Sequence, residues 1–209
     1  MDIALRATRS SSRREALLNG LTELFLAEGF SGFSVEDFAV RLQCSKSTLY
    51  AVAPSKEQLI TAVVRAFFRR STERVEQRLG AEPAAARRIG AYLEAIAAEL
   101  APASSAFYAD LDSFAPAREI YLQNISIAAR RVQDLVLEAE QPGRPVNAIF
   151  LGSVAAQVME SIQQGQLRVL TGLDDAAAYR ALADLITASV IGAPEPFGKA
   201  GTSHGQRSR

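Results

Sequence analysis

Ser45, Lys46, Ser47, Thr48 and Tyr50 share one short stretch, SKSTLY, and their chemistry is hydrogen bonding rather than bond breaking. Serine and threonine hydroxyls donate or accept at base edges, and an ammonium such as Lys46 reaches guanine or phosphate. If Ser45 caps a helix, this stretch forms its first turn. Free backbone N–H groups at the positive end of a helix dipole then suit phosphate. Small polar side chains also let such a helix approach a groove closely. Tyr50 adds a hydroxyl on an aromatic stem. Arg13 and Arg14, upstream, supply cations for backbone contacts that position a protein on a duplex without reading its sequence.

Other chemistry is poorly provided for. The only histidine, His204, lies in a polar tail, which removes histidine triads, histidine-rich metal sites and most general-base schemes. The one cysteine, Cys44, excludes a disulfide framework or a cysteine-rich zinc site, and reads as a small buried hydrophobe rather than a redox sensor. The acid pairs Asp110/Asp112 and Asp174/Asp175 form no catalytic constellation. Asp174/Asp175 sit where a helix start favours acids. There is no Glu-x-x-His and no glycine-rich phosphate loop. No catalytic residue, cofactor or metal is expected.

The elements that must carry SKSTLY are helical. The chain has 209 residues, a formal net charge of zero and 48% apolar residues, enough for a packed core. Alanine leads, with the helix formers leucine, arginine and glutamate frequent behind it, tryptophan is absent, and period-2 alternation is hard to find, so the fold class is all-α, with about nine helices. Residues 1–12 read as a flexible basic arm. A helix from about Arg13 to Glu28 has the stripe Leu17, Leu21, Leu24 and Phe25 and stops at Gly29. Ser34 caps a second helix, Ser45 a third, and a long fourth begins at Lys56. The short turn between the second and third gives a helix-turn-helix unit. The expected domains are a helix-turn-helix domain over 13–56 with its motif at 34–53, a larger helical domain over 57–192, and a disordered tail over 193–209. No run is apolar enough for a transmembrane helix and no secretory signal is read, so a cytoplasmic location is the default.

The segment RREALLNGLTELFLAEGFSGFSVEDFAVRLQCSKSTLYAVAPSKEQLITAVV resembles the N-terminal domain of the TetR family of transcriptional regulators. The resemblance rests on the Leu-Phe-x-x-x-Gly helix end, the Ser-Lys-x-Thr-Leu-Tyr recognition helix and the Ser-Lys-Glu start of the next helix, over about residues 13–65. It implies a ligand-responsive repressor that binds a near-palindromic double-stranded DNA operator as a homodimer. Arg13, Arg14, Ser34, Ser45, Lys46, Ser47, Thr48, Tyr50 and Lys56 then form the DNA-binding set, with Tyr50 and Lys56 in the places of phosphate-contacting residues of the family. Two positions depart from the pattern. Gln43 stands where the turn usually has glycine, and Tyr50 is followed by Ala51-Val52-Ala53 rather than a histidine and a phenylalanine. These departures bear on the number of phosphate contacts, not on the architecture. A second class of function remains open: an all-α small-molecule-binding or enzymatic bundle that has lost DNA binding.

The larger domain carries an aromatic cluster, Tyr92, Phe107, Tyr108, Tyr121 and Phe150, that could line a pocket for an apolar or aromatic effector. Family members generally bind a small effector there. The segment from Val146 to Ile162 has one charge, Glu160, and needs burial on several sides. With the last helix, it is expected to form a two-fold interface through Ile149, Gly152, Ala156, Met159, Leu182 and Ile186.

Overall fold

A computed structural model describes residues 2–142 and 145–191. The tail expected over 193–209, with His204, lies outside the described residues. Ten α-helices and no strand are present among those described.

Helix α1 spans Asp2–Glu28. Residues 2–12 thus continue the helix rather than forming a separate arm, and they contain neither glycine nor proline to stop it. Gly29 ends α1 in the left-handed region, at φ 76°. Helix α2 spans Val35–Arg41, α3 spans Lys46–Tyr50 and α4 spans Lys56–Leu79. The caps expected at Ser34 and Ser45 hold, and Ser55 caps α4: their hydroxyls accept from the backbone N–H groups of Asp37, Thr48 and Gln58. The second layer is α5 (Ala85–Leu100), α6 (Ser105–Ser113), α7 (Ala115–Ala139), α8 (Ala148–Gln163), α9 (Gln166–Thr171) and α10 (Asp175–Ile191). The extra element relative to the nine expected is α9. Gly165 and Gly172, at φ 71° and 74°, bracket it and isolate a turn and a half that carries no apolar period of its own. Asp174 does cap α10, accepting from the N–H of Ala177 at 2.7 Å.

Two hydrophobic cores organise the chain. One gathers α1, α2, α3 and the first half of α4, but also Phe107 and Leu111 of α6 and Ala117, Tyr121 and Ile125 of α7. The other joins the end of α4 to α5, α7, α8 and α10. The aromatic chain Phe25–Phe30–Phe107–Phe67, with centroids 5.2 to 6.3 Å apart, stitches the first three helices to the body. Polar contacts reinforce this joint. The Asp110 carboxylate accepts from the backbone N–H groups of Phe30 and Ser31, and the N–H of Ser104 donates to the carbonyl of Leu26 at 2.8 Å. Gly29 is required here twice: its φ is positive, and a Cβ would strike Asp110.

Candidate nucleic-acid interface and inner cavity

Ser34 and Asp37 form a reciprocal capping box at the start of α2. The Ser34 hydroxyl and N–H both donate to Asp37, at 2.7 and 2.8 Å, and hold its carboxyl below the usual range. Ser45 does the same work for α3: its oxygen lies 2.7 Å from the Ser47 hydroxyl and 2.9 Å from that of Thr48. Ser47 remains exposed, Thr48 is half-buried, and Tyr50 is 47% exposed. Leu49 is fully buried and pins the helix to the core. The outward row of α3 is therefore hydroxyl-bearing while its inward row is apolar.

The cations are partly engaged. Lys46 makes an ion pair with Glu36 of α2. Lys56 donates to the carbonyl of Ser31 at 3.3 Å. Arg41 forms a two-pronged pair with Glu28 and lies 5.5 Å from the centre of the Phe33 ring. Arg13 and Arg14 are exposed on α1. The two unusual positions have different outcomes. Gln43 takes the left-handed conformation, at φ 50°, that the turn demands. For a residue with a Cβ this costs about 1–2 kcal/mol. Ala53 is buried and Val52 packs partly on the same core, so both serve packing and neither offers a donor. Cys44 packs there too, and burial pushes its thiol up.

The aromatic cluster divides. Tyr108 and Tyr121 line an open-sided cavity of about 620 Å³ between α6, α7 and the α8–α9 turn, rimmed by Asp112, Arg168 and Asp175. Tyr121 also belongs, with Tyr92 and Tyr179, to a narrow inner recess of about 40 Å³ beside α4 and α5. Phe107 and Phe150 are not part of either wall. Phe107 is buried in the core that joins the first helices to α6, and Phe150 is 61% exposed on the outside of α8. Gln163 and Tyr179 line these spaces and were not expected. Each stands one helical turn from a residue singled out in the sequence, Gln163 from Met159 and Tyr179 from the Leu182 stripe, but only the packing of α8 on α10 brings them together.

The expected interface residues also divide. Met159, Leu182 and Ile186 are buried within this chain's own second core. Gly152 faces α7, where a Cβ would lie 2.7 Å from the Ala129 carbonyl and would strike Gln133. Ala156 packs partly on the first core. Of the six, Ile149 alone points clearly outward, at 72% exposure, beside Phe150, with Leu185 of α10 at 57%. Helical stripes identify faces, but not which of two apolar neighbours covers them. No group of three or more metal-ligating side chains occurs among the described residues, and none of their helices is long and apolar enough to cross a membrane.

Residues 17–63 match the family model for bacterial regulatory proteins of the tetR family. Several solved structures share the fold over most of the chain. A TetR-family transcriptional regulator from Streptomyces coelicolor superposes with a TM-score of 0.67 at 17% identity, covering 86% of this chain and 96% of its own. A protein from Saccharomonospora viridis, described as a transcriptional regulator and solved in complex with choline, gives 0.66 at 17% identity over 84% and 96%. A TetR/AcrR-family regulator from Thermobifida fusca gives 0.60 at 18% identity over 84% and 97%. No curated protein matches the sequence significantly.

Proposed function

We propose that this chain, which carries a TetR-type N-terminal domain over residues 17–63 on the fold of the TetR-family regulators, is a ligand-responsive transcriptional repressor. It binds a near-palindromic operator as a homodimer. The observation that carries this reading is the family match over the helix-turn-helix, combined with an α3 whose Ser47 and Tyr50 face solvent, with Thr48 half-buried beside them, while Leu49 anchors it. Lys46, Lys56, Arg13 and Arg14 supply the cations around it.

The effector would lie in the cavity under Tyr108 and Tyr121. Helix α6 supports this, because it serves two masters. Tyr108, Leu111 and Asp112 line the cavity, while Asp110 of the same helix grips the end of α1. An occupant that displaces α6 therefore displaces the DNA-reading helices. A tenfold loss of operator affinity needs only about 1.4 kcal/mol of preference for the displaced state. The Saccharomonospora viridis structure, with choline bound, supports a small-molecule role for this fold.

The test is selection of genomic DNA fragments on the purified protein. Fragments should share a two-fold sequence with half-sites roughly 34–36 Å apart, and binding should fall steeply with salt through counterion release. Binding that is weak and indifferent to sequence even at low salt would leave only the small-molecule-binding bundle.

Dimerisation would use the outward faces of α8 and α10, where Ile149, Phe150 and Leu185 expose apolar side chains. Leu185→Asp is expected to give a monomer at micromolar concentration by light scattering, with a melting temperature set by the intact core. A wild-type protein that is already monomeric under these conditions would contradict the assembly and the two-fold operator together.

A further inference from the structure

Among the buried side-chain polar atoms of the described residues, the Tyr121 hydroxyl and the Gln163 side-chain oxygen have no hydrogen-bond partner, and both residues line the cavity; Arg88 Nε, elsewhere, is the third such atom. Tyr121 is 8% exposed. Gln163 Nε2 donates to the Tyr179 hydroxyl at 3.1 Å, which leaves Oε1 unpaired. Turning the amide over leaves its NH2 unpaired instead, so one end of Gln163 lacks a partner either way. Orphaned buried groups are uncommon and call for an explanation. Here the two belong to one place, since Tyr121 and Gln163 form the wall shared by the outer cavity and the inner recess. Burial also raises the ionisation of Tyr92, Tyr108, Tyr121 and Tyr179 well above the ordinary phenol range, so their hydroxyls stay protonated and able to donate.

The charges nearby are already spoken for. Of the residues lining the two spaces, only Asp112, Arg168, Asp175 and Glu99 are acids or bases of the Asp, Glu, Lys, Arg and His types. Asp112 pairs with Arg118 at 3.2 Å and Arg168 with Asp175 at 3.0 Å. Buried Glu99 is held between Arg74 and Arg78. The acids and the arginine of these walls are each paired within the chain, so the walls present no unpaired charge to an occupant.

We infer that the effector is a neutral small molecule whose hydroxyl or amide group bridges Tyr121 and Gln163, with an apolar body against Tyr108 and Ile162. This rests on the effector reading of the cavity given above. A hydroxyl or amide both donates and accepts, which is what a phenol and an amide terminus together ask for. A cavity of about 620 Å³ has room for such a molecule.

The experiment uses the full chain and a matched probe set: cyclohexanol and cyclohexanecarboxamide, then methylcyclohexane, cyclohexanecarboxylate, cyclohexylammonium and choline. None absorbs with tyrosine. The chain has five tyrosines and no tryptophan, and Tyr50 is the one tyrosine away from the cavity, so tyrosine emission reports binding directly. The alcohol and the carboxamide should bind about tenfold or more tighter than the other four. Tyr121→Phe and Gln163→Leu should each remove that advantage while leaving methylcyclohexane unchanged. Tyr121→Phe also deletes an unsatisfied hydroxyl, so the ligand-free protein should melt about 2–4 °C higher. Tightest binding by the carboxylate or by either cation would overturn the inference. So would parity of methylcyclohexane with the alcohol, or no binding by any probe at millimolar concentration. No arm uses DNA, so a failure of operator binding leaves this result standing. Probes that bind as expected without releasing operator would sink the ligand-responsive reading alone.

Discussion

Lys46→Glu is expected to lower operator affinity about a hundredfold or more while the protein stays folded. Lys46 is half exposed, and its partner Glu36 is exposed as well. Such a surface pair contributes at most about 1 kcal/mol to stability, so losing it leaves the melting temperature nearly unchanged. On DNA the balance differs. A reversed charge on the face presented to phosphates removes one attraction and adds a like-charge repulsion, which together cost several kcal/mol. The ion pair also makes a prediction of opposite sign. Glu36 competes with DNA for the Lys46 ammonium, so Glu36→Gln should strengthen operator binding by up to about fivefold and steepen its salt dependence by about one counterion. It should also cost a few tenths of a kcal/mol in the fold, because Glu36 sits favourably in the first turn of α2. Fluorescence anisotropy at several salt concentrations, with circular-dichroism melts, measures both. Unchanged DNA binding by Lys46→Glu, or weaker binding by Glu36→Gln, would take α3 out of the interface.

Gly152→Arg should prevent folding rather than only separate protomers. The position lies where α8 crosses α7, and even a methyl group would crowd the Ala129 carbonyl and the Gln133 side chain. Gly152→Ala should therefore cost about 1–3 kcal/mol by overpacking. Arginine adds a charge buried with no partner and should exceed about 3–5 kcal/mol, a large part of a domain's stability. Gly90 provides the control. It lies inside α5 with open space where its Cβ would be, so Gly90→Ala should stabilise by about 0.5–1 kcal/mol. Thermal melts beside light scattering separate the outcomes. A folded Gly152→Arg monomer with wild-type melting would place this glycine at an interface instead.

The helix-turn-helix and its flanking helices were the most legible part of the molecule. Their limits are written in local chemistry: Ser34, Ser45 and Ser55 each cap the helix that follows them, and Gly29 supplies a left-handed stop. Each of these acts within a few residues of itself, so sequence suffices. The exposure of Ser47 and Tyr50 likewise follows from Leu49 being the apolar residue among them. The start of α1 was less legible, because absence of a helix breaker is a weaker signal than a cap.

The cavity and the outer surface were decided elsewhere. Tyr92, Tyr108 and Tyr121 are aromatic residues on helices, like Phe107 and Phe150, and nothing local to any of them tells a wall from a core or a surface. Met159, Leu182 and Ile186 carry the apolar period of a buried face, and sequence cannot say whether a neighbouring helix or a second chain buries it. That choice belongs to crossings between helices far apart in the chain, such as α7 on α8 and α5 on α10, and to the ion pairs that pin them. The sequence by itself determined an all-α chain and its helix-turn-helix end, since caps and stops are short-range. Only the tertiary structure decided where the empty space lies and which residues line it, since both depend on which long-range packing fills each gap.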